Sequence, residues 1–432
     1  MSFKVFDDSW EIKTLGELLL TNKIDIQTGP FGTMLKASSY TTEGVPVIAV
    51  KDIGINKIIH GQSPLIDNID ADRISKYKLQ TNDIVFGRKG AVDRRALITE
   101  KEKGWIQGSD CIRVRFLDAS INPIFVSYFL GTKYYYNWIM SNAQGTTMPS
   151  LNQEILKRVP IPIPPIDDQG KIVLLLKQID NKIELNNDIN KNLEEMAQVL
   201  FKHWFVGFEF PNENGEPYKS SGGEFEESEL GMIPKGWKVH PLNEVLEINP
   251  KRTLKKGCNA PYVEMRSITN YYARVTEHTN REFKSGTKFI NGDVLLARIT
   301  PCLENGKTAY VDFLEENQVG WGSTEYIILR SRQGIPNLFA YFLARSDEFR
   351  SHAITNMTGT SGRQRVPETS VSSYLIAIPD TFELFKKFGD VVQAGFELMK
   401  KNDLETHSLK HIRDTLLPKL MSGELRIPLD QA

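Results

Sequence analysis

An apolar stripe at heptad spacing runs through Leu176, Ile179, Ile183, Asn186, Asn190, Leu193, Ala197 and Leu200, with Leu175, Ile189 and Met196 beside it. Neither Pro nor Gly interrupts the chain from Lys171 to Phe205. Such spacing predicts a long amphipathic helix whose seam is covered by another helix. The same pattern returns 216 residues further on, at Val392, Gly395, Met399, Asn402, Thr406, Leu409, Arg413 and Leu416, flanked by Val391, Leu398 and Ile412. Even the polar layer recurs, Asn186 falling on Asn402 and Asn190 on Thr406. A buried Asn at a seam position fixes register at some cost in stability. The chain is therefore expected to supply its own partner, as an antiparallel helix pair. The alternative is that each helix packs on its own neighbouring domain.

The rest of the chain is long enough for two globular domains, with 432 residues and 40% hydrophobic content. A formal net charge of −1 means that any nucleic-acid surface must be a local patch. Cys111, Cys258 and Cys302 are far apart and form no CxxC, which fits a reducing compartment and argues against a disulfide scaffold or a zinc ribbon. Met1 to Asp8 has no apolar signal core, and no apolar run approaches the roughly 18 residues of a membrane span. A soluble, cytoplasmic protein is expected.

The two halves repeat one another. Trp10, Ile12, Leu15 and Glu17 are matched at equal spacing by Trp237, Val239, Leu242 and Glu244. Asp83-Ile-Val-Phe-Gly-Arg88 echoes Asp293-Val-Leu-Leu-Ala-Arg298, each reading as a buried strand entered from a turn. Pro123 with Tyr128-Phe-Leu130 is echoed by Pro336 with Tyr341-Phe-Leu343. The offsets drift between 210 and 227, so loops differ while the order of elements holds. This predicts pseudo-twofold symmetry within one chain.

The joints fall at Pro160, Pro162, Pro164 and Pro165, a stiff extended segment after which Asp167 or Asp168 caps the helix, and at Pro379, after which Asp380 or Thr381 does so. The polar stretch from Pro211 to Gly231 reads as an exposed linker. The expected fold class is α+β, with two mixed α/β domains in pseudo-twofold arrangement separated by two long antiparallel coiled-coil helices. Its boundaries are 1–165 for the first domain, 166–206 for the central helix, 207–235 for the linker, 236–380 for the second domain and 381–425 for the C-terminal helix.

Catalytic signatures fail on inspection. Gly306-Lys307-Thr308 suggests a phosphate loop, but Pro301 stands where such a loop needs a small residue. Ala309 to Phe313 then alternates like a strand instead of opening a helix. His407 and His411 have a metal-sharing spacing without a third ligand nearby, so an exposed helical face is expected and no metal. Neither an Asn-Pro-Pro-Tyr type methyltransferase motif nor a glycine-rich cofactor loop is found, and Pro379-Asp380 with Glu383 and Lys386 has the wrong spacing for a nuclease. The chain is expected not to be an enzyme by itself.

Seven stretches in order carry a family resemblance: Thr28-Gly-Pro-Phe-Gly32 with Gly44-Val-Pro-Val-Ile48; Leu151-Asn-Gln with Ile161-Pro-Ile-Pro-Pro165; Glu229-Leu-Gly-Met-Ile-Pro-Lys-Gly-Trp237; Tyr262-Val-Glu-Met265; Thr300-Pro-Cys-Leu-Glu-Asn-Gly-Lys-Thr308; Gly322-Ser-Thr-Glu325; and Gly359-Thr-Ser-Gly-Arg-Gln-Arg-Val366. Over nearly its whole length the chain resembles the specificity subunits of type I restriction-modification systems. The resemblance implies that each α/β domain is a target-recognition domain reading half of a split double-stranded DNA site. It further implies that the helices act as a ruler and as a docking surface for methyltransferase subunits, two of them, which in turn carry restriction subunits. S-adenosylmethionine, ATP and Mg are then expected on those partners and no cofactor on this chain. A helix of about 35 to 40 residues spans roughly 50 to 60 Å, enough to hold two readers more than one turn of DNA apart. Competing readings are a coiled-coil adaptor without DNA binding, an enzyme with an unseen site, and a specificity subunit of a related type II methyltransferase or nuclease system.

Candidate DNA contacts are basic and amide residues in turns. In the first half these are Lys36, Arg88, Lys89, Arg94 and Arg95, with Thr146 and Thr147 as weaker candidates placed similarly to Arg363 and Gln364. In the second they are Lys251, Arg252, Lys255, Lys256, Arg298, Arg363, Gln364 and Arg365. Arg and Gln can fork onto guanine and adenine edges, whereas Lys runs suit phosphates. For any one of them the competing assignment is a solvated surface charge.

Overall fold

The computed structural model describes residues 6–31, 34–61, 63–90, 92–145, 149–360 and 362–428. The chain divides into two compact units, Met1–Glu184 with Thr406–Ala432, and Leu185–Glu405. Each therefore contains a mixed α/β domain and a stretch of both long helices, so the division cuts the helices instead of separating them from the domains.

In the first unit a five-stranded sheet runs in the order Ile24–Thr28, Cys111–Phe116, Ile84–Gly87, Arg95–Leu97, Ile55–Asn56. Its counterpart in the second is Leu246–Ile248, Tyr326–Ser331, Val294–Ala297, Thr308–Tyr310. A second four-stranded sheet in each unit contains one parallel pair, Val45–Ile48 with Ile106–Gln107 and Asn259–Val263 with Gly320–Gly322. The duplication extends to buried charge. Asp83 opens its strand with a carboxylate that accepts from the Gln80 amide and from Arg115 at 2.7 Å. Asp293 likewise accepts from the Ile290 amide and from Arg330 at 2.7 Å. Both carboxylates are buried, and pairing with arginine offsets a desolvation cost that neither could bear alone.

The proline-rich segments end their domains as strands. Pro160–Ile163 pairs antiparallel with Glu11–Thr14, and Leu375–Pro379 with Trp237–Pro241. Two-stranded pairing leaves an edge on which a missing amide is tolerated. The expected caps are corrected. The first long helix, Ile166–Phe201, begins directly after Pro165, so Asp167 and Asp168 sit in its first turn, where their charge suits the helix dipole. In the second, Glu383–Ser422, the first helical bond runs from the Lys386 amide to the Phe382 carbonyl, so neither Asp380 nor Thr381 is the cap.

Within the second unit the helices run antiparallel. The Asn186 amide donates to Glu405 at 2.8 Å, Asn190 donates to Asp403 at 2.9 Å, and Asn402 donates to Asn190 at 2.8 Å. Within the first, Arg413 reaches Asp180 at 2.9 Å, and Leu176, Leu416 and Leu420 share one core. Leu176, Ile179, Ile183, Asn186, Met399 and Asn402 are buried, and Leu193, Leu200, Leu409 and Leu416 are half-buried. The flanking positions need correction. Met196, Val391, Leu398 and Ile412 are exposed, and the stripe widens on its other side, through Glu194, Phe201 and Phe396. The α/β domains cover that side and so decide which flank is buried.

Phe201 anchors the second core, its ring centroid 5.4 Å from Phe205, 5.4 Å from Phe339 and 6.1 Å from Phe388. Phe201→Ala should cost about 3 to 5 kcal/mol, read as an earlier urea transition in the fluorescence of Trp204 and Trp237. An unchanged midpoint would mean that the helix end is not held by this cluster.

The stretch expected to be a linker is folded, although exposed. Phe225–Ser228 and Gly231–Pro234 form a hairpin, and Phe210 stacks on Tyr218 at 4.6 Å and on Trp237 at 5.2 Å. The Asn212 side chain accepts from the amides of Asn214 and Glu216, both at 2.9 Å. Local side-chain bonds of this kind order a segment without any apolar run.

Candidate nucleic-acid interface

In each unit a turn leaves the central strand and is gripped from both sides. In the second, the Arg298 amide donates to the Glu325 carbonyl at 3.0 Å and its carbonyl accepts from Val366 at 3.0 Å, while Thr300 donates to the Gln364 carbonyl at 3.0 Å. Thr358 and Arg365 exchange backbone bonds of 2.9 Å, closing a hairpin in which Gly359 and Gly362 have φ of 124° and 77°. The first unit repeats this bond for bond. Arg88 donates to the Asp110 carbonyl at 2.9 Å and accepts from Leu151 at 2.8 Å, Gly90 donates to the Pro149 carbonyl at 2.9 Å, and Gln144 and Ser150 exchange bonds of 3.1 and 2.7 Å.

This geometry brings Arg298, Arg363, Gln364 and Arg365 together, and in the other unit Arg88 and Lys89. Arg363 and Lys89 are exposed, and Gln364, Arg88 and Arg298 are half-buried. Lys36, Arg94, Lys251, Lys255 and Lys256 are exposed in other loops, outside these two turns. Thr146 and Thr147, like Gly32 and Ser361, lie outside the described residues.

Three candidates are corrected. Arg95 is buried in its strand and donates to the Ser127 carbonyl at 2.7 Å, so it holds the fold; burial lowers its pKa to about 10. Arg252 is drawn to the buried Asp293 at 3.1 Å. Arg365 spends its fork on Glu325, with Nε–O distances of 2.8 and 3.0 Å and Nη2–O of 2.7 Å, and so positions the turn. That bond holds the Glu325 carboxyl below the usual range. A depressed acid stabilises the fold above its ordinary pKa and loses that contribution as pH falls through the depressed value, so the clamp is intact at neutral pH.

Sequence reasoning missed the acids. Asp110 and Glu325 occupy equivalent places beside the turn, and the signal was present as Gly108-Ser-Asp110 against Gly322-Ser-Thr-Glu325. Phe31 was missed as well; the Arg88 guanidinium lies 5.2 Å from its ring centroid.

The features read as noncatalytic are placed as follows. Lys307 donates to the Met265 carbonyl at 2.9 Å, and Thr308 is a buried strand residue. His407 and His411 are exposed, and among the described residues no group of three or more His, Cys, Asp or Glu could hold a metal. No described helix is long and apolar enough to cross a membrane.

A family model described as the type I restriction modification DNA specificity domain matches residues 8–195 and 234–407. The type I restriction enzyme MjaIX specificity subunit of Methanocaldococcus jannaschii is 29% identical over 322 residues, covering 70% of this chain and 69% of its own length. The HindI specificity subunit of Haemophilus influenzae is 22% identical over 441 residues, covering 88% and 94%. The crystal structure of the type I restriction-modification S subunit from M. genitalium shares the fold with a TM-score of 0.59 at 17% identity, over 97% of this chain and 98% of that one.

Proposed function

Because the chain belongs to the family of specificity subunits of type I restriction-modification systems, we propose that its two α/β domains each read one half of a bipartite double-stranded DNA site. The helix pair sets the gap between the halves and docks two methyltransferase subunits, through which restriction subunits join. S-adenosylmethionine, ATP and Mg reside on those partners, and this chain targets their chemistry without performing any. The observation that carries the reading is the duplicated turn, which presents basic side chains on the same framework in both domains while the two sets of side chains differ. Different side chains on one framework suit two half-sites unrelated by symmetry.

The turn at Arg363 offers an exposed planar fork to a base edge, whereas Lys255 and Lys256 are isolated exposed charges suited to phosphates. Arg363→Ala should cost about 1 to 3 kcal/mol on the specific site and relax preference at one position of the second half-site. Lys255→Ala should weaken all sequences alike and flatten the salt dependence by about one counterion. Competitive binding of the assembled complex across a randomised second half-site, at two salt concentrations, reads both. Binding that ignores salt and sequence alike would instead favour the adaptor reading.

A further inference from the structure

We propose that Arg88 and Arg298 are equivalent base readers, each setting its guanidinium against a guanine, so that both half-sites carry a guanine opposite this turn. The inference rests on the DNA-reading function proposed above and adds which base is read at a shared position. Three observations carry it.

The first is placement. At equivalent places where the two central strands end, each of the two arginines has its amide and its carbonyl both held, by Asp110 and Leu151 in one unit and by Glu325 and Val366 in the other. Their Cα positions are thereby fixed on both sides, which a reader needs and a phosphate holder does not.

The second is that their forks are unspent. Nε of Arg88 and Nε of Arg298 are both buried without a hydrogen-bond partner, and among the described residues neither guanidinium makes a hydrogen bond or ion pair. A carboxylate stands beside each turn, yet in each unit another cation has taken it. Lys89 lies 3.7 Å from Asp110, and Arg365 grips Glu325 through Nε and Nη2. In both units the nearest cation to the acid is a residue other than the strand-end arginine.

The third is restraint. Both side chains are half-buried, and Arg88 rests on the Phe31 ring. A planar fork restrained by its surroundings matches the paired O6 and N7 acceptors of guanine, whereas the exposed Arg94 and Lys251 can follow phosphates.

The test uses the assembled complex and DNA libraries with each half-site randomised in turn, comparing wild type with Arg88→Lys and Arg298→Lys. Lysine keeps the charge and stem but not the fork. Each variant should lose roughly ten- to hundredfold discrimination at one guanine position, Arg88→Lys in the first half-site and Arg298→Lys in the second. The untouched half-site should keep its profile, which shows within the same experiment that the variant is folded and assembled. Even weakening across all sequences, or a selected half-site without guanine, overturns the inference while leaving DNA reading in place. A wild-type complex that binds every sequence alike overturns both.

Discussion

Exchanging residues 1–165 for the matching domain of another family member will replace the first half-site and leave the second as it was. The basis is that each domain owns a complete framework: its sheets, its gripped turn and its basic side chains lie within one unit. The structure adds a condition on the donor. The first domain is joined to the helices by Tyr128, which donates to Asp180 at 2.7 Å while Arg413 meets the same carboxylate, and by a core in which Trp10, Phe125 and Ile161 join Ile172, Leu176 and Leu420. A donor lacking the tyrosine would leave Asp180 half-paired, at a cost of about 1 to 3 kcal/mol for the lost bond to a charged group. Mapping methylated bases in host DNA before and after the exchange reads the outcome. If both half-sites changed together, the reading surfaces would have to be shared between domains.

Lengthening the helix pair by one heptad in each helix should keep both half-sites and widen the gap between them. Seven residues add about 10 Å, or roughly three base pairs of duplex. The insertions belong near Glu184 and Glu405, where the division between the units crosses both helices. Inserting in one helix alone would shift the Asp180–Arg413 pair on one side of the insertion out of register with the Asn186–Glu405 and Asn190–Asp403 pairs on the other, so that one set of partly buried polar groups must lose its partners. The single insertion should therefore fail to fold, whereas the double insertion should assemble. Sites selected from a library with variable gaps give the answer, and an unchanged preferred gap would remove the ruler from the proposal.

Much of this molecule follows from its sequence because its strongest signals are periodic. Heptad spacing forces long helices, and the matched Asn186 and Asn402 mark a polar layer that the structure places in the seam. The Asp83 and Asp293 repeats announce strands for the same reason, since a buried carboxylate at a strand entrance must be paired and both halves pair it with arginine. Charge in turns placed Arg88, Arg298 and Arg363 among the candidates. It could not tell an available fork from a spent one, because the partners of Arg95, Arg252 and Arg365 are 32, 41 and 40 residues away along the chain.

The sequence by itself thus determined the duplicated α/β plan, the helices and the list of basic residues from which a DNA surface can be built. Tertiary structure alone decided which flank of each stripe is buried, because the α/β domains cover one side and leave Met196 and Val391 exposed. It decided that residues 207–235 fold, through stacked rings and side-chain caps that leave no periodic trace. It also decided which arginines are paired, since that depends on where Asp293 and Glu325 arrive relative to Arg252 and Arg365.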